Sequence, residues 1–213
     1  MTTPALPLLH LDEHLLAVSK PAGLLAVPGR GEDKQDCLSA RLQAQLPGAL
    51  VVHRLDMATS GLMLMARQHA VQRSLGHAFA QGQVRKHYEA VVHGHLQAPG
   101  GEGWAEIDLP VGPDWPQRPR QQVDHVRGKP SRTRWRLLAH EGGYSRLLLE
   151  PLTGRTHQLR VHLQALGHAI VGDALYAPDG GASSPRLLLH ARELQLAHPV
   201  TGEALQLRDP TPF

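Results

Sequence analysis

The sequence is poor in cysteine and in aromatic residues. Cys37 is the one cysteine among 213 residues, so no disulfide closes within a chain and no cysteine-based zinc cluster can be built. A reduced, intracellular protein is the expectation. Phe, Trp and Tyr together make up 4% of the residues, so any stacking on a nucleobase has to rest on very few rings. No stretch approaches the roughly 20 apolar residues that cross a bilayer. Met1 to His10 lacks the basic and apolar regions of a secretory leader, so a cytoplasmic protein with no membrane partner is expected. Charge of one sign is not in large excess either: 22 Lys and Arg face 19 Asp and Glu, for a formal net charge of +3, with 15 histidines in reserve. The isoelectric point of about 9.3 is compatible with a polyanionic partner, but many proteins without one are equally basic.

What is present is enough to fold. Hydrophobic residues reach 41%, which excludes a disordered chain. No internal repeat, low-complexity tract or linker interrupts the sequence, so residues 1–213 are expected to form a single domain. Strands are expected at Leu15–Val18, Leu24–Val27, Val51–Val52, Leu62–Ala66, Lys86–His93, near Trp104–Leu109, and at Thr133–Leu138, Ser145–Glu150, Leu187–Leu196 and Ala204–Leu207. Three helices fall between them. The first carries Leu38, Leu42 and Leu46, with Asp36 as its cap and Pro47-Gly48 as its stop. The second carries Val71, Leu75, Ala78 and Phe79 on one face. The third runs from Thr156 to Leu166 and ends at Gly167. Strands without regular βαβ alternation indicate an α+β fold with a mixed or mostly antiparallel sheet.

The stretch His53-Arg54-Leu55-Asp56-Met57-Ala58-Thr59-Ser60-Gly61 stands out. A carboxylate lies two residues from an arginine, in a polar loop flanked by apolar strands, which is a common place for catalytic groups. It is equally readable as a polar turn in which Asp56 and Thr59 bond the local backbone. Between Arg118 and Arg136 the chain concentrates Arg118, Arg120, Arg127, Lys129, Arg132, Arg134 and Arg136 against Asp124 alone. This run is either a phosphate-binding surface or a solvated loop feeding a strand with arginines on its outer face. In the third helix, Leu159, Leu163 and Leu166 fall within an arc of about 60° and are expected to anchor the core, with His157 and Arg160 pointing elsewhere. No His-Glu-x-x-His occurs, and His157 and His162 are poorly spaced for one metal. Gly100-Gly101-Glu102-Gly103 lacks the strand–helix frame of a phosphate-binding loop, and no Gly-x-Ser-x-Gly elbow is present.

The Asp56 loop resembles the signature His-Arg-Leu-Asp-x-x-Thr-Ser-Gly of the RluA family of RNA pseudouridine synthases, with every fixed position matched. Lys20-Pro21-Ala22-Gly23-Leu24, Lys86-His87-Tyr88, Gly154-Arg155-Thr156-His157-Gln158-Leu159-Arg160-Val161-His162-Leu163 and His198-Pro199-Val200-Thr201-Gly202-Glu203 resemble further family motifs in the same order. The Asp114–Gln121 segment and Gly128-Lys129-Pro130 are closest to the family's short members, which carry no separate S4 domain.

The resemblance implies a pseudouridine synthase catalytic fold with Asp56, Tyr88 and Arg160 as the catalytic set. Asp56 is the reacting carboxylate, Arg160 its counter-ion and Tyr88 the platform for the uracil. It implies that Arg54 enters the stack when the uridine is flipped out. RNA contacts are expected from His53, Thr59, Lys86, Arg118, Arg120, Lys129, Arg155 and His157. The isomerisation is neither a redox reaction nor a hydrolysis, so no cofactor and no metal are expected, and the enzyme is expected to be monomeric. Short members act on an anticodon-loop uridine of tRNA and on a hairpin of 23S rRNA, which are the expected partners here. Two other readings stay open: a non-catalytic RNA-binding or chaperone module on the same fold, and a hydrolase with Asp56 as nucleophile.

Overall fold

A computed structural model describes residues 6–97 and 103–213. Most of the Gly100–Gly103 segment lies outside the described residues. In chain order the elements are β1 (Leu8–Leu11), β2 (Leu15–Lys20), α1 (Leu38–Gln45), β3 (Leu50–Val51), β4 (Ser60–Ala66), α2 (His69–Ala80), β5 (Arg85–His93), β6 (Ala105–Asp108), β7 (Val111–Pro113), β8 (Gln121–Val123), β9 (Arg132–Glu141), β10 (Tyr144–Pro151), α3 (Gln158–Ala165), β11 (Leu189–Ala197) and β12 (Ala204–Arg208). Within each unit the paired strands run antiparallel except β4 with β11, so the expected α+β class holds. Among the described residues no helix is long and apolar enough to cross a membrane. The chain divides into two compact units, residues 1–86 with 190–212, and residues 87–189 with 213.

In the first unit β4 is the central strand, and all seven of its residues are buried. β2 runs along one edge from Leu15 opposite Ala66 to Lys20 opposite Gly61. The other edge is shared: β3 takes the end of β4 at Met65 and Ala66, and β11 takes its start in parallel, with His190 opposite Ser60 and Ala191 opposite Gly61. Alternate residues of β2 and β4, with Val71 and Leu75 of α2 and Leu194 and Leu207 of β11 and β12, form one apolar cluster. This is the core that the period-two strands and the amphipathic α2 require.

The second unit is built on the antiparallel strands β5-β10-β9-β6, with the short hairpin β7–β8 beside them. One face of this sheet is closed by buried Ala90, Leu147, Leu149, Trp135, Thr133 and Ile107. The opposite face carries Arg132, Arg134 and Arg136 of β9 in alternation. Arg132 pairs with Glu106 at 2.6 Å and Arg134 with Glu150 at 3.1 Å. Part of the basic run is therefore neutralised within the sheet.

Four local expectations are corrected. Leu24–Val27 is not a strand, because Lys20 draws the carbonyls of Pro21 and Leu24 around its ammonium and Leu25 makes only an isolated bridge to Cys37. Asp36 does not cap α1: Cys37 holds the cap position without a side-chain bond to the helix backbone, and Asp36 forms a bidentate pair with Arg41. In α3, Leu159 and Leu163 are buried as expected, but Leu166 is 38% exposed, and Arg160 is buried as well at 4% exposed. The β7–β8 hairpin forms where no strand was expected.

Candidate active site

In the first unit the backbone around Asp56 is held from several directions. Lys20, with no exposed surface, donates from Nζ to the carbonyls of Pro21 at 2.9 Å, Leu24 at 2.7 Å and Met57 at 3.1 Å. The Met57 carbonyl also accepts from the Gly23 N–H at 2.8 Å, and the Thr59 N–H donates to the Asp56 carbonyl at 3.1 Å. The Lys-Pro motif and the Asp56 loop are thus one construction: a buried ammonium, which needs partners for its three N–H bonds, finds them in the loops it joins. Asp56 itself is half-buried and Arg54 is exposed.

Other residues of the loop face inward. The Leu64 N–H donates to His53 Nε2 at 2.9 Å, and the His53 ring stacks on Phe79 at 4.4 Å between centroids. Burial pushes the His53 imidazole down to about 3, with the nearby Lys86 charge adding to the effect. The ring is therefore neutral, with its proton on Nδ1. Thr59 is 3% exposed. These two residues were expected to touch RNA. His53 pins its loop to β4, and Thr59 is a buried residue of the loop. Burial also lowers the Lys86 ammonium from its ordinary value.

The next residue pair of the loop makes a different device. Ser60 Oγ lies 2.9 Å from His190 Nδ1, and His190 Nε2 lies 3.2 Å from the Asp209 carbonyl. The three residues are 3%, 2% and 8% exposed, and the histidine meets the Asp209 backbone carbonyl, so the chain of bonds ties β4 to β11.

In the second unit, α3 carries the other long motif. Gln158 donates to the Arg132 carbonyl and to Thr133 Oγ1, both at 3.0 Å. Thr133 Oγ1 stands 2.9 Å from His162 Nδ1, while His162 Nε2 lies 2.9 Å from the Leu109 carbonyl. Burial holds the His162 imidazole below its usual range. It is therefore the neutral ring, donating from Nε2 and accepting at Nδ1. Gln158 and His162 fasten α3 to β9, which leaves Arg160 as the cationic member of the motif inside the unit. Arg160 donates from Nε and one Nη to the two carboxylate oxygens of Asp173 at 2.8 and 2.7 Å. Tyr88 of β5 is half-buried opposite Leu149 of β10.

The remaining expected RNA contacts differ in exposure. Arg118, Lys129 and Arg155 are exposed, and Arg118 lies over the ring of Trp115 at 3.6 Å. Arg120 is half-buried: it donates to Gln117 Oε1 at 2.8 Å and its Nε is buried without a partner. His157 is half-buried and stands 2.7 Å from the Tyr176 hydroxyl. Asp173 and Tyr176 escaped the reading of the sequence. The sole hint was a charged residue closing the apolar run Ala169-Ile170-Val171, a signal shared with any loop that follows a strand.

The sequence profile of the RNA pseudouridylate synthase family matches residues 14–165. The chain is 44% identical over 212 residues to the dual-specificity RNA pseudouridine synthase RluA of Escherichia coli K12, covering 99% of this chain and 95% of the relative. It is 43% identical over 214 residues to RluA of Pasteurella multocida, covering 100% and 96%. Among solved structures, human RNA pseudouridylate synthase domain containing 1 superposes with a TM-score of 0.80 at 32% identity, over 100% of this chain and 87% of that one. Human RNA pseudouridylate synthase domain containing 4 does so with a TM-score of 0.73 at 25% identity, over 96% and 88%. The Asp56 loop and all of α3 up to Ala165 fall inside the matched region, and on these findings the chain belongs to the RNA pseudouridylate synthase family.

Proposed function

We propose that this protein isomerises uridine to pseudouridine in folded RNA, with Asp56 as the reacting carboxylate. The observation that supports it most directly is the loop: its signature is complete, and its backbone is locked by Lys20, Gly23 and Thr59, the preorganisation that a catalytic group requires. In the reaction the N1–C1′ bond breaks, the uracil turns, C5 joins C1′ and the C5 proton leaves. An ionised carboxylate serves by adding to C1′ or by taking a proton from the ribose, and both routes balance without an external oxidant or reductant.

Tyr88 and Arg160 complete the catalytic set by their motifs. Arg54, exposed on the Asp56 loop, replaces the flipped base in the stack; flipping costs a few kcal/mol, and a planar cation that stacks and meets phosphate offsets part of it. Arg118, Lys129 and Arg155 are the exposed cations offered to phosphate, with Arg120 and Lys86 beside them. The substrates in this reading are an anticodon-loop uridine of tRNA and a hairpin uridine of 23S rRNA, bound by a monomer in the cytoplasm. The dual-specificity names of the relatives and the recognition of single-stranded loops by shape support that choice.

The test is release of tritium from RNA labelled at uridine C5, with an unmodified tRNA and a 23S hairpin transcript. Wild-type protein is expected to release label, and Asp56→Asn to release none while keeping RNA affinity within about tenfold. Binding of both RNAs without release by the wild type would instead indicate a non-catalytic RNA-binding module.

A further inference from the structure

Asp173 and Tyr176 lie outside the family motifs quoted above, yet both lie against Arg160. Asp173 is 1% exposed. Its Oδ1 accepts from Arg160 at 2.7 Å, from the Leu175 N–H at 3.0 Å and from the Tyr176 N–H at 3.1 Å. Its Oδ2 accepts from Arg160 Nε at 2.8 Å. One carboxylate therefore fixes both the guanidinium and the backbone of Tyr176. The Tyr176 ring in turn lies against two cations, with the Arg160 guanidinium carbon 4.9 Å and the Arg120 carbon 5.4 Å from its centroid.

The Tyr176 hydroxyl links two elements. It accepts from the Gln121 N–H of β8 at 2.7 Å and lies 2.7 Å from His157 Nδ1. Burial raises the phenol above its ordinary value, so the proton stays on the oxygen. His157 is the one non-glycine with positive φ among the described residues, at 55°, a conformation that costs roughly 1–2 kcal/mol. It sits at the cap position of α3, three residues before Arg160. Strained residues persist where the surroundings over-determine them, and the Tyr176 hydroxyl supplies that constraint.

We propose that Asp173 and Tyr176 are positioning residues for the isomerisation: Asp173 freezes the Arg160 guanidinium in one orientation, and Tyr176 registers the start of α3 to the basic β7–β8 hairpin, so that RNA seated on Arg118 and Arg120 is presented to a fixed Arg160. This rests on the proposed reaction. A buried Arg–Asp pair contributes little net stability compared with an apolar filling of the same space. What it supplies is geometry, since it holds a side chain that otherwise has many rotamers.

Two measurements test the idea. The first needs no turnover: amide exchange at Gln121 and at the first residues of α3 is expected to accelerate in Tyr176→Phe. Unchanged exchange at both places would overturn the link through the hydroxyl. The second is a double-mutant cycle on tritium release. Asp173→Asn is expected to lower kcat about 100-fold with KM for RNA within about threefold, and Tyr176→Phe to lower kcat about tenfold. In an Arg160→Lys background, Asp173→Asn should change kcat by less than about threefold, because its effect passes through Arg160. Losses that multiply in full would show a general structural role and sink the proposal. If Asp173→Asn does not fold, Tyr176→Phe carries the test, and a wild-type kcat in that variant overturns it. A wild type that releases no tritium from any RNA refutes the proposed reaction, while the exchange result still decides the Tyr176 link.

Discussion

Several residues of the long motifs are fasteners, and their chemistry follows from burial. Lys20 spends its ammonium on three carbonyls, His53 accepts a backbone N–H, and Gln158 and His162 share Thr133. His53 has a consequence for pH. Its folded pKa, about 3, lies below the unfolded value near 6.5, so the unfolded chain binds the proton first. Stability from this group is complete above about pH 6.5 and is lost progressively as pH falls toward 3. Urea denaturation is expected to show about 2 kcal/mol less stability at pH 5 than at pH 7 from His53, a loss that His53→Gln should diminish. An identical loss in that variant would assign the pH dependence to other groups.

At the scale of elements, the glycine of the Thr-Ser-Gly turn is explained by strand pairing. Gly61 has φ of 116°, and a Cβ there would meet the backbone amide and carbonyl of Ala191, the residue opposite it on β11. The parallel contact of β4 with β11 closes only over a residue without a side chain. Gly61→Ala is therefore expected to cost about 2–4 kcal/mol, from the backbone conformation and from overpacking together, read as a fall in the urea midpoint. A variant as stable as the wild type would mean that β4 and β11 separate at no cost. The β7–β8 hairpin and the cap of α3 were illegible for a related reason: the first is three residues a side, and the second depends on a tyrosine 19 positions away.

For the whole molecule, the basic run is less basic than its composition. Arg132 and Arg134 are paired with acids on the sheet and Arg120 packs over Tyr176, whereas Arg118 and Lys129 are exposed. Replacing Arg118 and Lys129 by glutamate is expected to weaken RNA binding and to reduce the slope of log affinity against log salt by about 1–2. Binding titrations at several salt concentrations check this, and an unchanged slope would remove the hairpin from the RNA interface.

The sequence by itself determined the α+β class, most strands and helices, and the loop that carries Asp56, because periodicity and a dense local motif are read within a few residues. Only the tertiary structure decided which polar motif residues face inward, that Arg160 is buried against Asp173, and that Leu166 is left at the surface. Those outcomes depend on partners distant in the chain: whether a lysine, histidine or arginine is exposed or pinned is settled by the carbonyls, carboxylates and rings that folding brings beside it, which no local pattern encodes.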